Sequence, residues 1–177
     1  VKIDYNQGQS QVLGAMSDNS SYQLNAANQE YCVPGDSTSC AAPVGRWDFE
    51  EGNGTIGYDT SGNGFNGTFG ASTAEPIYTL GKFGKGVRFD GSNDIITVAD
   101  NASLQLTTFT LSLWFKVSTL PTSFPIVLTK QTSVTNRNYA VFFDQSNNFI
   151  GVSTSFSGTQ RDLQSTITVN DDRWHHL

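Results

Sequence analysis

With 177 residues, the chain can hold one β-sandwich-sized domain and an appendage, and it is too short for a second full core. A low charged fraction beside abundant Gly, Ser, Thr, Asn and Phe is the composition of short strands joined by turn-rich loops, and twelve Phe argue against disorder throughout. A net charge of -6 with scattered basic residues excludes nucleic acid as a partner, and no apolar run approaches the about 18 residues that span a bilayer, so membrane insertion is not expected.

In chain order, residues 9–42 are small and polar with a period of neither 2 nor 3.6, and they read as a linker. Within it Cys32 and Cys40 flank the turn-rich spacer Val-Pro-Gly-Asp-Ser-Thr-Ser, which brings the thiols together with little strain. A local disulfide in an oxidising, extracytoplasmic setting is the leading reading, and two free thiols are the alternative. A metal pair lacks two further ligands. The N-x-[ST] matches at Asn19, Asn53, Asn66 and Asn101 are what a chain this rich in Asn, Ser and Thr produces by chance.

From Val44 short apolar runs alternate with Gly and Asn clusters. Strands are predicted at Gly45 to Phe49, Gly86 to Phe89 and Ile95 to Val98, the last two joined as a hairpin by Asp90-Gly91-Ser92-Asn93-Asp94. Ala102-Ser103-Leu104 suggests one helical turn after the capping residue Asn101. The clearest strand is Phe109 to Val117, with Phe109, Leu111, Leu113, Phe115 and Val117 on the core face and Thr110, Ser112, Trp114 and Lys116 on the other. Ile126 to Thr129, Tyr139 to Phe143, Phe149 to Ser153, Thr166 to Val169 and Trp174 to Leu177 complete the set, with a hairpin loop at 144–148 and a turn at Asn170-Asp171-Asp172.

Four blocks resemble laminin-G-like, concanavalin A-like jelly-roll modules of bacterial and archaeal surface proteins. Gly45-Arg46-Trp47-Asp48-Phe49-Glu50-Glu51-Gly52 with the Tyr58 to Gly67 loop is similar to the family's opening strand and its D-x-S-G-N-x-x-x-G loop. Gly84 to Ile96 resembles its G-x-A/V-x-F-D-G-x-x-D segment, Phe109 to Phe115 its F-T-L-S-x-W strand, and Arg173 to Leu177 its W-H-H-V/L strand. The resemblance implies an all-β, antiparallel jelly-roll β-sandwich over residues 43–177, incomplete at its C-terminus because the family's later strands do not follow Leu177. Such a fragment leaves open edges and a half-covered core. Val1 to Gly8 is similar to the end of a preceding module, which implies tandem copies in a longer parent chain.

For catalysis, Asp48 and Glu50 are the one nearby carboxylate pair and share a strand face, yet the E-x-D-x-x-E arrangement of jelly-roll glucanases is missing. His175 and His176 are adjacent, so they point to opposite faces and cannot chelate one ion together. No catalytic residues are assigned. Asp59, Asn63 and Asn66 offer oxygens in a Gly-rich loop and form the candidate calcium site, the family commonly binding that ion; the alternative is that they make Asx-turns beside the glycines. Asp90, Asn93 and Asp94 pose the same choice, with the turn favoured. Tyr58, Phe65, Phe69 and Tyr78 fall in loop-like stretches and are the candidates for stacking on sugars, or for packing over the sandwich ends. Trp47, Trp114 and Trp174 read as structural.

The resemblance implies a non-catalytic recognition or adhesion module, secreted or at the cell surface, that binds a glycan or an extracellular protein beside other modules of the same parent chain. The alternatives are a structural spacer repeat and a carbohydrate-targeting module appended to a hydrolase.

Overall fold

The computed structural model describes residues 43–177 apart from 121–124, 134, 135, 145, 147, 157 and 158. The chain divides into two units, Val1–Pro43 and Val44–Leu177, and the description below concerns the second. The expectations for segment 1–8, for the linker 9–42 and for a Cys32–Cys40 disulfide lie outside the described residues.

Eleven strands and two short 3₁₀ turns make up the described residues. The strands are β1 (Ile56–Gly57), β2 (Gly67–Phe69), β3 (Ile77–Leu80), β4 (Lys85–Arg88), β5 (Ile96–Val98), β6 (Trp114–Lys116), β7 (Ile126–Ser133), β8 (Asn136–Asp144), β9 (Phe149–Phe156), β10 (Thr159–Gln164) and β11 (Trp174–His176). They form antiparallel sheets ordered β10-β9-β8-β7, β1-β2-β5, β11-β6 and β3-β4. The architecture is the all-β, antiparallel one expected of a concanavalin A-like β-sandwich. No helix among the described residues is long and apolar enough to cross a membrane.

The main core lies between the four-stranded sheet and the β6–β11 ribbon. Along 109–117 burial alternates as period 2 requires, with Phe115 buried, Phe109, Leu111, Leu113 and Val117 half-buried, and the four residues between them exposed. Phe115 packs against Val141 and Phe143 of β8, Ile150 of β9 and Val169, with Leu111, Leu113, Val117, Leu128, Val152 and Leu177 around them. The Phe115 and Phe143 rings meet at 5.6 Å. Tyr139 through Phe143 are all buried, so β8 is covered on both faces, which a continuous apolar run permits. On one of those faces Phe142 lies across the strands over Gly151, where a Cβ would come within 2.6 Å of its ring.

A smaller core forms around β1 and β2. Gly57 and Gly67 are cross-strand partners, and both are glycine because their neighbours come so close. A Cβ on Gly57 would sit 2.6 Å from the Phe49 ring, and one on Gly67 would sit 2.6 Å from Ile96. Phe69 packs on Tyr78 with ring centroids 5.2 Å apart.

Four local expectations are corrected. Gly45 to Phe49 is not a strand: it makes a single bridge, Trp47 to Asp59, and Phe49 takes φ 55, which turns its ring onto Gly57. Gly86 to Val98 is not a hairpin. β4 pairs instead with β3, and β5 pairs with β2 in another sheet, because the Asp90 turn folds on itself. Asp90 Oδ1 accepts from Ser92 and Asn93 N–H, and Asp94 Oδ2 accepts from Asp90 N–H, so this turn carries the chain between sheets. Only Trp114–Lys116 of the 109–117 stretch is paired as strand, since its partner β11 is equally short. Thr166 to Val169 forms no strand. The last member of the four-stranded sheet is β10, whose polar residues join through the backbone ladder and carry no hydrophobic signal.

The two sides of this core predict opposite outcomes in urea unfolding. Val141→Ala removes packed methyl groups and is expected to cost about 2 kcal/mol. The Ser153 hydroxyl is fully buried with no hydrogen-bond partner, so Ser153→Ala is expected to be neutral or to stabilise by up to about 1 kcal/mol.

Candidate functional site

The loop following β1 is organised by one carboxylate. Asp59 Oδ1 accepts from the N–H groups of Arg46 and Ser61, each at 2.9 Å, and Oδ2 accepts from the Ser61 hydroxyl at 2.8 Å and the Phe65 N–H at 2.9 Å. Asn66 Oδ1 takes the Asp59 N–H, and Asn63 Nδ2 donates to the Val44 carbonyl and to Ser61 Oγ. Partial burial pushes the Asp59 carboxyl upward, but the donors from Arg46, Ser61 and Phe65 outweigh it and hold the group below the ordinary carboxylate range.

That network already gives both Asp59 oxygens their donors. A calcium ion needs about 6 to 8 oxygen ligands, whereas Asp59 faces N–H and O–H donors on both oxygens, and a cation there would have to displace them. Asn63 turns its amide N–H group, not its oxygen, to the loop contacts described. Among the described residues no three His, Cys, Asp or Glu side chains converge. Asp59, Asn63 and Asn66 therefore fit the Asx-turn role and do not fit a calcium cage in this geometry. The turn also accounts for Asp90, Asn93 and Asp94.

Of the four loop aromatics, Phe69 lies in β2 at 5% exposure and offers no face to a ligand. Tyr78 lies in β3, packed on Phe69, with its hydroxyl donating to the Ile56 carbonyl at 2.8 Å and to Glu51 at 3.2 Å. Burial, followed by the Glu51 charge, pushes its pKa up to about 12. Tyr58 is 52% exposed, and its backbone N–H is held by Glu51. Phe65 is half-buried and lines an open cleft of about 200 Å³ with Asn63, Gly64, Asn66 and residues 98–101. Each amide in that cleft gives one end to the loop structure: Asn63 its Nδ2 and Asn66 its Oδ1 as above, and Asn101 its Oδ1 to the Ser103 N–H.

The carboxylates considered for catalysis are also committed to structure, and with Phe49 at positive φ they are not strand neighbours on one face. Asp48 pairs with Arg46 at 2.7 Å and accepts from the Thr60 hydroxyl. Glu50 accepts from the Lys85 N–H, bracing the β3–β4 hairpin beside its turn, where Lys85 pairs with Leu80. The two adjacent histidines separate as expected. His175 stacks on Phe115 at 5.5 Å, and its Nε2 lies 2.8 Å from Asp171 Oδ1, a contact that leads in holding the Asp171 carboxyl below its usual range. His176 is exposed beside Ser112 Oγ at 3.0 Å.

A different group of rings is presented to solvent. Trp114, read from the sequence as structural along with Trp47 and Trp174, is 44% exposed, and Phe83 at the β3–β4 tip is 69% exposed. Their rings meet edge to face at 5.6 Å and 86°. On its other side Trp114 faces its cross-strand partner His176, ring centroids 4.8 Å apart. The Lys82 ammonium stands 5.4 Å from the Trp114 centroid and 5.8 Å from that of Phe83. Trp47 keeps a structural place, with its indole N–H on the Phe65 carbonyl and its ring filling the space above Gly45. A signal for Trp114 was present in the sequence: it falls on the polar side of the 109–117 alternation, where a large ring has no core to fill.

The family model described as the concanavalin A-like lectin/glucanases superfamily, a laminin G model, matches residues 90–177. The chain carries a laminin-G-like module. The matched part contains β5 through β11, and so both layers of the main core and the strand that presents Trp114. No curated protein and no solved structure matches the chain.

The Asp59 network carries a pH dependence of definite sign. Because the folded-state carboxyl lies below its ordinary value of about 3.9, its contribution is fully present above that value and is lost as pH falls through the lower, folded one. Asp59→Ala is expected to cost about 2 kcal/mol at neutral pH by stranding the Arg46, Ser61 and Phe65 N–H groups, and to flatten the acid limb of stability against pH. Calcium and chelator are both expected to leave the thermal midpoint unchanged, as differential scanning fluorimetry would record.

Proposed function

We propose that this is a non-catalytic, extracellular recognition module that binds carbohydrate, and that it does so on the Trp114–Phe83 surface. The observation carrying this reading is the pair of large exposed rings set side by side on a β-sandwich. Each ring has an apolar face that can cover the C–H face of a pyranose, and few rotatable bonds have to be frozen on binding. The membership of residues 90–177 in a superfamily of lectins and glucanases supports a saccharide as ligand. It supports binding over hydrolysis when taken with Asp48 and Glu50, each tied to its own structural partner.

The rings are held by the fold itself. Trp114 is fixed by strand register opposite His176, and Phe83 by a turn closed from Gly81 N–H to the Gly84 carbonyl at 3.0 Å. Such a surface is formed before ligand arrives, so its ordering cost is already met by folding. The extracellular assignment follows the habit of the family.

On a glycan array probed with the full chain, saccharide binding is expected, and Trp114→Ala should weaken it by about tenfold or more, which is about 1.4 kcal/mol. Phe65→Ala, in the separate cleft beside Asn63 and Asn101, should leave it within about twofold. Binding to no saccharide while an extracellular protein is retained would replace carbohydrate with protein as the ligand; binding to nothing would leave a spacer.

A further inference from the structure

We infer that Asn53 is the site of a self-catalysed covalent modification, in which the Gly54 amide nitrogen attacks the Asn53 side chain and water completes its conversion to an aspartyl or isoaspartyl residue. The inference is independent of the ligand reading above. Asn-Gly is the pair in which this attack meets least steric resistance, because glycine has no Cβ to hinder its own nitrogen and rotates freely into the required geometry. The sequence holds three such pairs, Asn53-Gly54, Asn63-Gly64 and Asn66-Gly67. All three asparagines are exposed, so what separates them is how each is held.

Asn66 Oδ1 is taken by the Asp59 N–H, and Gly67 is fixed in β2 in register with Gly57 and Val98. Asn63 donates Nδ2 to the Val44 carbonyl and to Ser61 Oγ, and its own N–H goes to Ser61 Oγ. The residue after Gly64 is tied as well, through the Phe65 N–H to Asp59. Ring closure at either pair has to break these contacts first. Asn53 and Gly54 lie in a bend, and among the described residues neither the Asn53 side chain nor the Gly54 N–H has a hydrogen-bond partner. Gly54 takes φ 85, and a Cβ placed on it would meet nothing within 4 Å. The attacking geometry is therefore reached there by local backbone rotation alone.

The step balances without oxidant or reductant. The Gly54 nitrogen gives its proton to hydroxide and bonds to Asn53 Cγ; the bond from Cγ to the side-chain nitrogen breaks, and that nitrogen leaves as ammonia. Water then opens the cyclic imide at either carbonyl. The Asp90-Gly91 pair is a poorer candidate for the same ring closure, since a carboxylate is a weak electrophile and Asp90 Oδ1 is held by the Ser92 and Asn93 N–H groups.

The position in the fold lets the product stay folded. On one side Glu51 accepts from the Tyr58 N–H and the Tyr78 hydroxyl. On the other, the Thr55 carbonyl accepts the Phe69 N–H, and the Ile56 carbonyl accepts the Tyr78 hydroxyl. The bend is anchored at both ends, so the extra backbone methylene of an isoaspartyl residue lengthens only the bow between them. The module thereby acquires a more acidic form with its anchors intact.

The test ages the full chain in mildly alkaline buffer, folded and in urea, and digests it with trypsin. Trp47 to Lys82 comes away as one peptide holding all three pairs, and its fragment masses assign each amide-to-acid conversion. In the folded chain Asn53 is expected to convert at least about tenfold faster than Asn63 and Asn66, the cost of breaking their tethers, and in urea the three rates should draw together. An intact Asn53 in the folded chain, a rate at Asn63 or Asn66 equal to it, or a rate ratio that survives in urea overturns the inference. Asn53→Gln should remove the main acidic band that ageing adds on isoelectric focusing, and persistence of that band in the variant overturns the assignment to Asn53. The acidic form of the parent should keep the thermal midpoint of the fresh chain; a lowered midpoint overturns the claim that the bow absorbs the change.

Discussion

Phe115 is held between two other rings, Phe143 across the core at 5.6 Å and His175 beside it at 5.5 Å. Through it the β6–β11 ribbon is attached to the four-stranded sheet. A strand repeats every two residues, so once Phe115 faces inward its neighbours Trp114 and Lys116 must face out. The same step gives the ribbon its two roles: one side closes the main core, and the other presents Trp114 with His176 opposite. Loss of the inner contact would therefore disorder the outer surface.

The second constraint is local. Asp59 gathers four donors from three residues and turns a glycine-rich stretch into a defined loop, while Glu50 holds the N–H of Lys85 beside the turn of the β3–β4 hairpin. Both carboxylates act as acceptors for backbone groups that have no ladder partner. Both groups are thereby committed to holding the loop and the hairpin in shape. The acidic residues in these loops shape the molecule, while the Trp114 and Phe83 rings stay exposed to solvent.

The candidate surface brings together residues far apart in the chain: Lys82 and Phe83 from a hairpin tip, Trp114 from the middle of the core strand, and His176 from β11. None belongs to the loop aromatics that composition first suggests. Phe69 and Tyr78 look loop-borne in the sequence because the strands β2 and β3 are too short to alternate visibly, and they end packed on each other. Trp114 looks structural because it sits in the most strand-like stretch of all, yet it lies on that strand's outward side.

The sequence by itself determined the all-β class, the alternation from Phe109 to Val117, the hairpin between β8 and β9, and the separation of His175 from His176, because each of these follows from local period or turn chemistry that a few adjacent residues carry. Only the tertiary structure decided which strands pair. The Asp90 turn looks like a hairpin yet passes the chain from β4 to a different sheet, and polar β10 joins by backbone hydrogen bonds that leave no mark in side-chain pattern. It also decided whether a given polar group is spent or free. Asp59 and Asn66 accept from donors brought from up to thirteen residues away, whereas Lys82 stands beside the Phe83 and Trp114 rings, and no local rule can foresee which neighbours a fold will bring.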